Sequence, residues 1–319
     1  MIPKGFDSFT LGRFRFCFRV VKELTLPPFK GGVLRGALGK AIRQMSCIPQ
    51  WDRPCSSCLL KGDCAYSYLF ETPNTRKSDL LEGVSHAPHP FVLRPPLTSR
   101  ECFACGESFE TEIALIGNAL GLLPRIIYAL ECFGGVGPTH GKLALEGVEA
   151  YTGSDWERIY TAGAEALRRL SWEIPASTIM TNADHCAVDR VELIIRTPAR
   201  IKSHGSLTDS VNFTMLTKSL LRRIHLLDRW HCGGKAELDH LALIRLSEEV
   251  ITEDEQLDWV DWTRHSFRQK ADLKMGGLVG SVRFRGPLTA FVPYLRLGEA
   301  VHIGKGTAFG LGMYSMTLC

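Results

Sequence analysis

Between residues 10 and 20 the chain alternates. Phe14, Phe16, Phe18 and Val20 fall on one side, and Arg13, Arg15, Cys17 and Arg19 on the other. A period of two with one apolar side predicts a strand that covers a core. Leu26-Pro27-Pro28 stops it, and then Val33, Leu34, Ala37, Leu38, Ala41, Ile42 and Met45 recur at steps of three and four. That spacing predicts a helix with one apolar stripe. Its glycines at 31, 32, 36 and 39 each weaken a helix by roughly 1 kcal/mol relative to alanine. They imply either tight packing on a sheet or the close approach of something to the backbone. A cysteine-rich insertion at 47–64 comes next, then expected strands near 91–93 and 108–116 and a helix over 118–132. The turn Gly134-Gly135-Val136-Gly137 leads into an expected strand over 143–151, and 152–184 has mixed periodicity.

The second half repeats the plan. Val191, Leu193 and Ile195 alternate as a strand, 213–230 is a strongly periodic helix, and 238–250 reads as another helix. Strands are expected near 259–267 and 278–284, followed by a helix over 290–300, a glycine loop and a last strand over 312–316. Strand, helix, strand, strand, helix, strand, written twice, is the split ferredoxin-like plan. The expected fold is therefore α+β: two tandem ferredoxin-like (RRM-like) domains with a cysteine-rich, metal-binding insertion in the first. The first domain is placed at 1–152, a connector at 153–185 and the second domain at 186–319.

The chain has 319 residues, 45% of them apolar and 23% charged, which excludes disordered and collagen-like classes. No basic segment followed by an apolar run opens the sequence, and nowhere do about 18 apolar residues run uninterrupted. Eleven cysteines are an odd number in a chain too large to need stapling, so a reducing cytoplasm is expected, with no membrane partner. The formal charge is +4. Residues 261–285 alone carry that excess, since Arg264, Arg268, Lys270, Lys274, Arg283 and Arg285 face only Asp261 and Asp272. A compact cationic excess suits phosphate neutralisation, although a solvated surface is the plainer alternative. On the helix after residue 213, Lys218, Arg222, His225 and Arg229 line one face while Leu216, Leu220, Ile224 and Leu227 line another.

Gly304-Lys305-Gly306-Thr307-Ala308-Phe309-Gly310-Leu311-Gly312 closes the second half between a helix and a strand. A phosphate-cradling G-x4-G-K-[ST] motif requires the opposite order, strand to helix, so nucleotide hydrolysis is not indicated. This loop resembles the C-terminal glycine-rich loop of the RAMP superfamily of CRISPR-associated proteins. With Tyr294-Leu295-Arg296-Leu297-Gly298, His302-Ile303, Arg268-Gln269-Lys270 and Gly276-Gly277-Leu278-Val279-Gly280, it is similar to the endoribonuclease that processes CRISPR precursor RNA. In the first half, Leu34-Arg35-Gly36-Ala37-Leu38-Gly39, Cys64-Ala65-Tyr66 and His89-Pro90-Phe91-Val92-Leu93 are similar in kind and order to the same family. The resemblance implies a protein that binds a repeat RNA, cleaves it without a catalytic metal and passes guide RNA to CRISPR effector-complex subunits.

Cleavage by a neighbouring 2′-hydroxyl needs a base, an acid and a cation near the phosphorane. His302 is the expected acid or base and Lys305 the charge stabiliser. The expected RNA-binding residues are Lys30, Arg35, Lys40, Arg222, His225, Arg264, Arg268, Lys270, Lys274, Gly304, Gly306, Gly310 and Gly312. His225, His231 and His265 are further histidine candidates. The first helix departs from the family's expectation, because no His or Tyr lies between residues 26 and 50. A non-catalytic RNA-binding subunit of a CRISPR effector complex is therefore the alternative reading. Cys47, Cys55, Cys58 and Cys64 lie within 18 residues, a spacing that can wrap thiolates around a structural zinc ion. An iron-sulfur cluster and metal-free thiols are the other readings of the same residues.

Overall fold

The computed structural model describes residues 3–47, 54–72, 87–132, 134–136, 141–168, 171–181, 187–203, 205–266 and 271–319. Side chains of 263–266 and 271–274 lie outside the description. The chain divides into two compact units, one of residues 10–174 with 229–233 and the other of 1–9, 175–228 and 234–319.

The first unit is built on β1 (Thr10–Lys22), α1 (Gly31–Ser46), β2 (Phe91–Arg94), β3 (Ser108–Ile116), α2 (Leu123–Cys132) and β4 (Gly141–Tyr151). Its sheet runs β2-β3-β1-β4, all antiparallel. This is the ferredoxin-like order, in which two strand–helix–strand units interleave. The alternation in β1 sets the faces: Phe14, Phe16, Phe18 and Val20 are buried. The period-two rule then puts the arginines on the opposite face, where Arg13, Arg15 and Arg94 reach Glu112 at 2.9, 3.3 and 3.6 Å. Phe18, Leu34, Leu38, Leu93, Ile113 and Leu143 surround one small gap in the core, so strands and α1 meet there. Gly39 takes the packing role, because a Cβ at that position would stand 3.2 Å from the Phe70 ring, whereas Gly36 faces open space. Part of the expected connector belongs to this sheet: β5 (Trp156–Thr161) hydrogen-bonds to the edge of β4.

The second unit repeats the order. It comprises α3 (Ala176–Thr181), β6 (Arg190–Ala199), α4 (Phe213–His231), α5 (His240–Ser247) and β7 (Ile251–Val260). Then come β8 (Thr263–Ser266), β9 (Ala271–Lys274), β10 (Gly277–Arg285), α6 (Val292–Val301) and β11 (Tyr314–Leu318). Its four-stranded sheet runs β7-β10-β6-β11, and β8 and β9 pair as a separate ribbon. Two tandem ferredoxin-like domains therefore make up the fold. The expected helix over 238–250 stops at Ser247, and the chain enters β7 instead. β7 gave no alternation to read because it is an edge strand whose residues are nearly all exposed, so no buried face imposes a period of two. No described helix is long and apolar enough to cross a membrane.

Phe213 ties α4 to the sheet and to the turn before α6. Its ring meets Phe284 and Phe291 edge-on at 5.0 and 4.9 Å. Phe213→Ala should remove about 3–5 kcal/mol of stability, seen as a lower denaturation midpoint.

Candidate nucleic-acid interface

The glycine loop hangs from the end of α6. Arg223, buried on α4, donates from Nε to the Val301 carbonyl at 2.8 Å. The acceptor is one of the carbonyls a helix leaves unpaired at its C-terminus, where a cation is favoured. Burial pushes the Arg223 guanidinium down to about 9. Next, His302 turns the chain with φ 60° and ψ 170°, a conformation otherwise kept for glycine and costing of order 1–3 kcal/mol. It is 0% exposed, and its Nδ1 lies 3.2 Å from the Leu311 carbonyl. The loop backbone is then fastened to the end of β6. Lys305 N–H donates to the Arg200 carbonyl at 3.0 Å and Gly312 N–H to that of Pro198 at 3.1 Å. Thr197 Oγ1 donates to the Gly310 carbonyl at 2.7 Å and accepts from Met313 N–H at 2.9 Å. Gly304 and Gly312 adopt φ 76° and 70°, and a Cβ at Gly312 would fall 1.8 Å from the Ile303 carbonyl oxygen.

These bonds change the expected roles. His302 is a correction: an enclosed ring anchored to its own loop does not face a phosphate, and the residue shapes the turn. Gly310 and Gly312 are buried with their N–H groups donated inside, so they form the loop and do not touch a ligand. Half-exposed Gly304 and Gly306 flank the exposed residue that the loop presents, Lys305. Desolvation lowers the Lys305 pKa first, followed by repulsion from Lys202, Arg222 and Arg200. The charged groups that act on it most are cationic. Arg222 and Lys202 are exposed, and Arg200 is turned by a 2.7 Å bond from its Nη1 to the Gly276 carbonyl. The site therefore joins the loop, the turn after β6 and the exposed stripe of α4.

On α4, Lys218, Arg222 and Arg229 are exposed, and Leu216, Leu220, Ile224 and Leu227 are buried, in the phase the spacing predicts. His225 is half-buried with its ring 5.2 Å from that of His240. Arg200 and Lys202 were not legible as site residues. Arg200 follows β6 and Lys202 opens a two-residue strand paired with Ser206–Leu207, too short to show a period, and the loop reaches Arg200 through a backbone hydrogen bond that leaves no spacing signal. Arg264 and Lys274 lie on β8 and β9, and His265 on β8, with side chains outside the description, while Arg268 and Lys270 lie outside the described residues.

In the first domain Lys30 is a second correction. It is 0% exposed, and its ammonium donates to the carbonyls of Pro28 and Thr98 at 3.1 and 2.7 Å, tying the entry to α1 to a distant loop. His231 is also enclosed, with Nδ1 2.8 Å from Tyr68 Oη and Nε2 2.8 Å from the Pro88 carbonyl. Lys40 is exposed. Arg35 is half-buried over the Phe70 ring and directs Nη2 at His89 Nε2, 3.3 Å away. His89 Nδ1 lies 3.0 Å from Thr72 Oγ1, whose own proton goes to the Tyr68 carbonyl. This network sets the neutral Nδ1–H tautomer, with Nε2 as acceptor. Thr72 ends a π-helical turn with φ 39°, the kind of irregular backbone found at functional sites. Sequence spacing had no means of pairing Arg35 with His89, because they are 54 residues apart.

Two family models match this chain. One, AF_1859_N, described as an N-terminal domain, covers residues 9–171. The other, CRISPR-associated endoribonuclease Cas6, covers residues 193–314. The match over residues 193–314 supports a CRISPR repeat-processing protein of the RAMP type. In structure it is similar to a partial Cas6-RT-Cas1–Cas2 complex, at 12% identity and a TM-score of 0.58, over 100% of this chain and 47% of that one. It thus spans about half the length of that matched chain. It is also similar to Thermus thermophilus Cas6, at 13% identity and a TM-score of 0.56, over 97% of this chain and 99% of that one. A Cas6 product complex matches at 13% identity and the same TM-score of 0.56, over 96% and 100% of the two chains. No curated protein matches.

Lys305→Ala should weaken RNA binding at unchanged melting temperature and take about 0.7 from the slope of log affinity against log salt, measured by filter binding across a salt series. Lys30→Met and His302→Ala should do the reverse. Each should lower the melting temperature by leaving buried carbonyls unpaired, at about 1–3 kcal/mol, and Lys30→Met should leave RNA affinity unchanged.

Proposed function

We propose that this protein binds CRISPR repeat RNA and cleaves it by attack of a 2′-hydroxyl on the adjacent phosphate, leaving a 2′,3′-cyclic phosphate and a 5′-hydroxyl. The observation that carries the reading is the convergence of Lys305, Lys202, Arg222 and Arg200 beside the glycine loop, where Lys305 N–H bonds the Arg200 carbonyl at 3.0 Å and burial first, then these cations, lower the Lys305 pKa. Cations held this near one another gain most from a polyanion, whose condensed counterions they release. The stripe of Lys218, Arg222 and Arg229 along α4 extends the same charge over three turns, a reach that suits an RNA backbone better than a single small anion. The match of residues 193–314 to the CRISPR-associated endoribonuclease Cas6 supports repeat RNA as the substrate.

For proton transfer, the described imidazole with the required arrangement is His89. Nε2 is its acceptor nitrogen, Thr72 fixes its tautomer, and Arg35 supplies a cation beside the same atom. His89 then acts as the base or acid, and Arg35 stabilises charge on the phosphorane. The first helix needs no histidine of its own on this reading, because Arg35 on that helix borrows one from the segment before β2. Guide RNA released in this way would pass to CRISPR effector subunits.

Repeat RNA incubated with the protein in excess EDTA should give a product ending in a cyclic phosphate, and a 2′-deoxy substitution at the scissile nucleotide should abolish it. His89→Ala should slow single-turnover cleavage by about 10²-fold or more while RNA binding persists. If chelator removes cleavage from folded, RNA-bound protein, the metal-independent mechanism is wrong. Tight binding with no cleavage of the intact repeat would establish the RNA-binding subunit instead.

A further inference from the structure

The four clustered cysteines have no part in the site described above. Cys47 caps the C-terminus of α1, its N–H donating to the Arg43 carbonyl at 2.8 Å. Cys55 and Cys58 bracket one 3-10 turn closed by a 3.2 Å bond from Cys58 N–H to the Cys55 carbonyl. Cys64 opens the helical segment that carries Tyr66, Tyr68 and Phe70, and its carbonyl accepts from Tyr68 N–H at 2.9 Å. All four are half-buried thiols outside any disulfide.

Burial in this insertion is inverted. Across residues 54–64 every side chain is exposed except those of Cys55, Cys58 and Cys64, and Leu59 is 95% exposed. An ordinary loop of this length turns its leucines inward; here the thiols occupy the interior and the leucines face water. The described hydrogen bonds inside the segment are short-range turns, such as Lys61 N–H to the Cys58 carbonyl and Asp63 N–H to that of Leu60. Among the described residues 54–64 no apolar side chain is buried to offset the entropy of ordering the segment. Cys64 also lines one cavity with Met45 and Ser46, the residues that lead into Cys47.

We propose that Cys47, Cys55, Cys58 and Cys64 form a structural tetrathiolate site for one zinc ion, which closes the insertion onto the end of α1. Zinc takes four thiolates in tetrahedral geometry and supplies folding energy to loops that have no core. No three described His, Cys, Asp or Glu side chains are yet gathered at ligand distance, so binding draws the sulfurs inward. There is room for that movement. An open cavity of about 310 Å³ lies between Met45 and Ser46 at the end of α1 and Leu60, Asp63 and Cys64 of the insertion. Arg43 already spans the same join, stacking over the Tyr66 ring at 5.5 Å, and its charge partly balances the anionic tetrathiolate. The ion would thus fix the segment that ends in Tyr68 and Thr72 against α1. Tetrathiolate sites also accept iron, and the two metals differ in what they absorb.

The test is elemental analysis of the full chain purified without chelator. About one zinc per chain is expected, falling several-fold in Cys55→Ser and Cys58→Ser and unchanged in Cys102→Ser, whose thiol is exposed elsewhere. Should those variants fail to fold, wild-type protein stripped of metal can be titrated with zinc against a chromophoric chelator. Uptake of one equivalent, with slower proteolysis within 54–64, is expected. Iron with visible absorbance, or metal-free protein that takes up no zinc, overturns the proposal. RNA binding and cleavage are not readouts here, so the fate of this site and that of the functional reading are decided separately.

Discussion

The cationic site depends on where the backbone between α6 and β11 can place its hydrogen bonds. A loop rich in glycine has little side-chain bulk to pack, so its shape must come from main-chain partners. Residues 197–200 provide them. The carbonyls of Pro198 and Arg200 accept from the loop, and Thr197 bridges Gly310 to Met313. Arg223 and His302 hold the same segment from the helix side. Because the loop's polar backbone is largely committed inward, Lys305 is the group left to face solvent, and it does so beside Lys202, Arg200 and Arg222. The concentration of charge follows from a packing constraint, since the bonds that fold the loop also bring the end of β6 and the face of α4 to it.

A similar division appears in the first domain. Lys30 and His231 carry functional groups, yet both are spent on carbonyls or hydroxyls inside the fold. A buried donor left unpaired costs more than a good hydrogen bond returns, so polar residues at such positions are held in place by their surroundings. Arg35 and His89 lie closer to the surface, where a hydrogen-bonded pair can still exchange a proton or meet a phosphate. The irregular turn at Thr72 places the hydroxyl that orients His89. Strain at Thr72 and at His302 thus serves different ends: one aims an imidazole, and the other encloses one.

The period-two face of β1, the stripe of α4 and the doubled order of strands and helices were all legible from hydrophobic spacing, and they sufficed for the ferredoxin-like plan. That is expected, because spacing reports burial, and each of these elements buries one face. β7 escaped because an edge strand with little buried surface carries no such record, and β5 because its buried residues, Ile159 and Tyr160, are consecutive and break the period of two. The glycine loop and the cysteine run were visible as chemistry in the letters alone. Which of their residues meet solvent was decided only in three dimensions. Lys30 and Lys305 are alike in sequence, each a lysine beside glycines, and opposite in exposure. The convergence of residues about 100 apart, and the pairing of Arg35 with His89, arise from contacts between segments remote along the chain. Local periodicity holds no information about such contacts, because they are set by how the sheets order their strands and by which carbonyls remain to be satisfied.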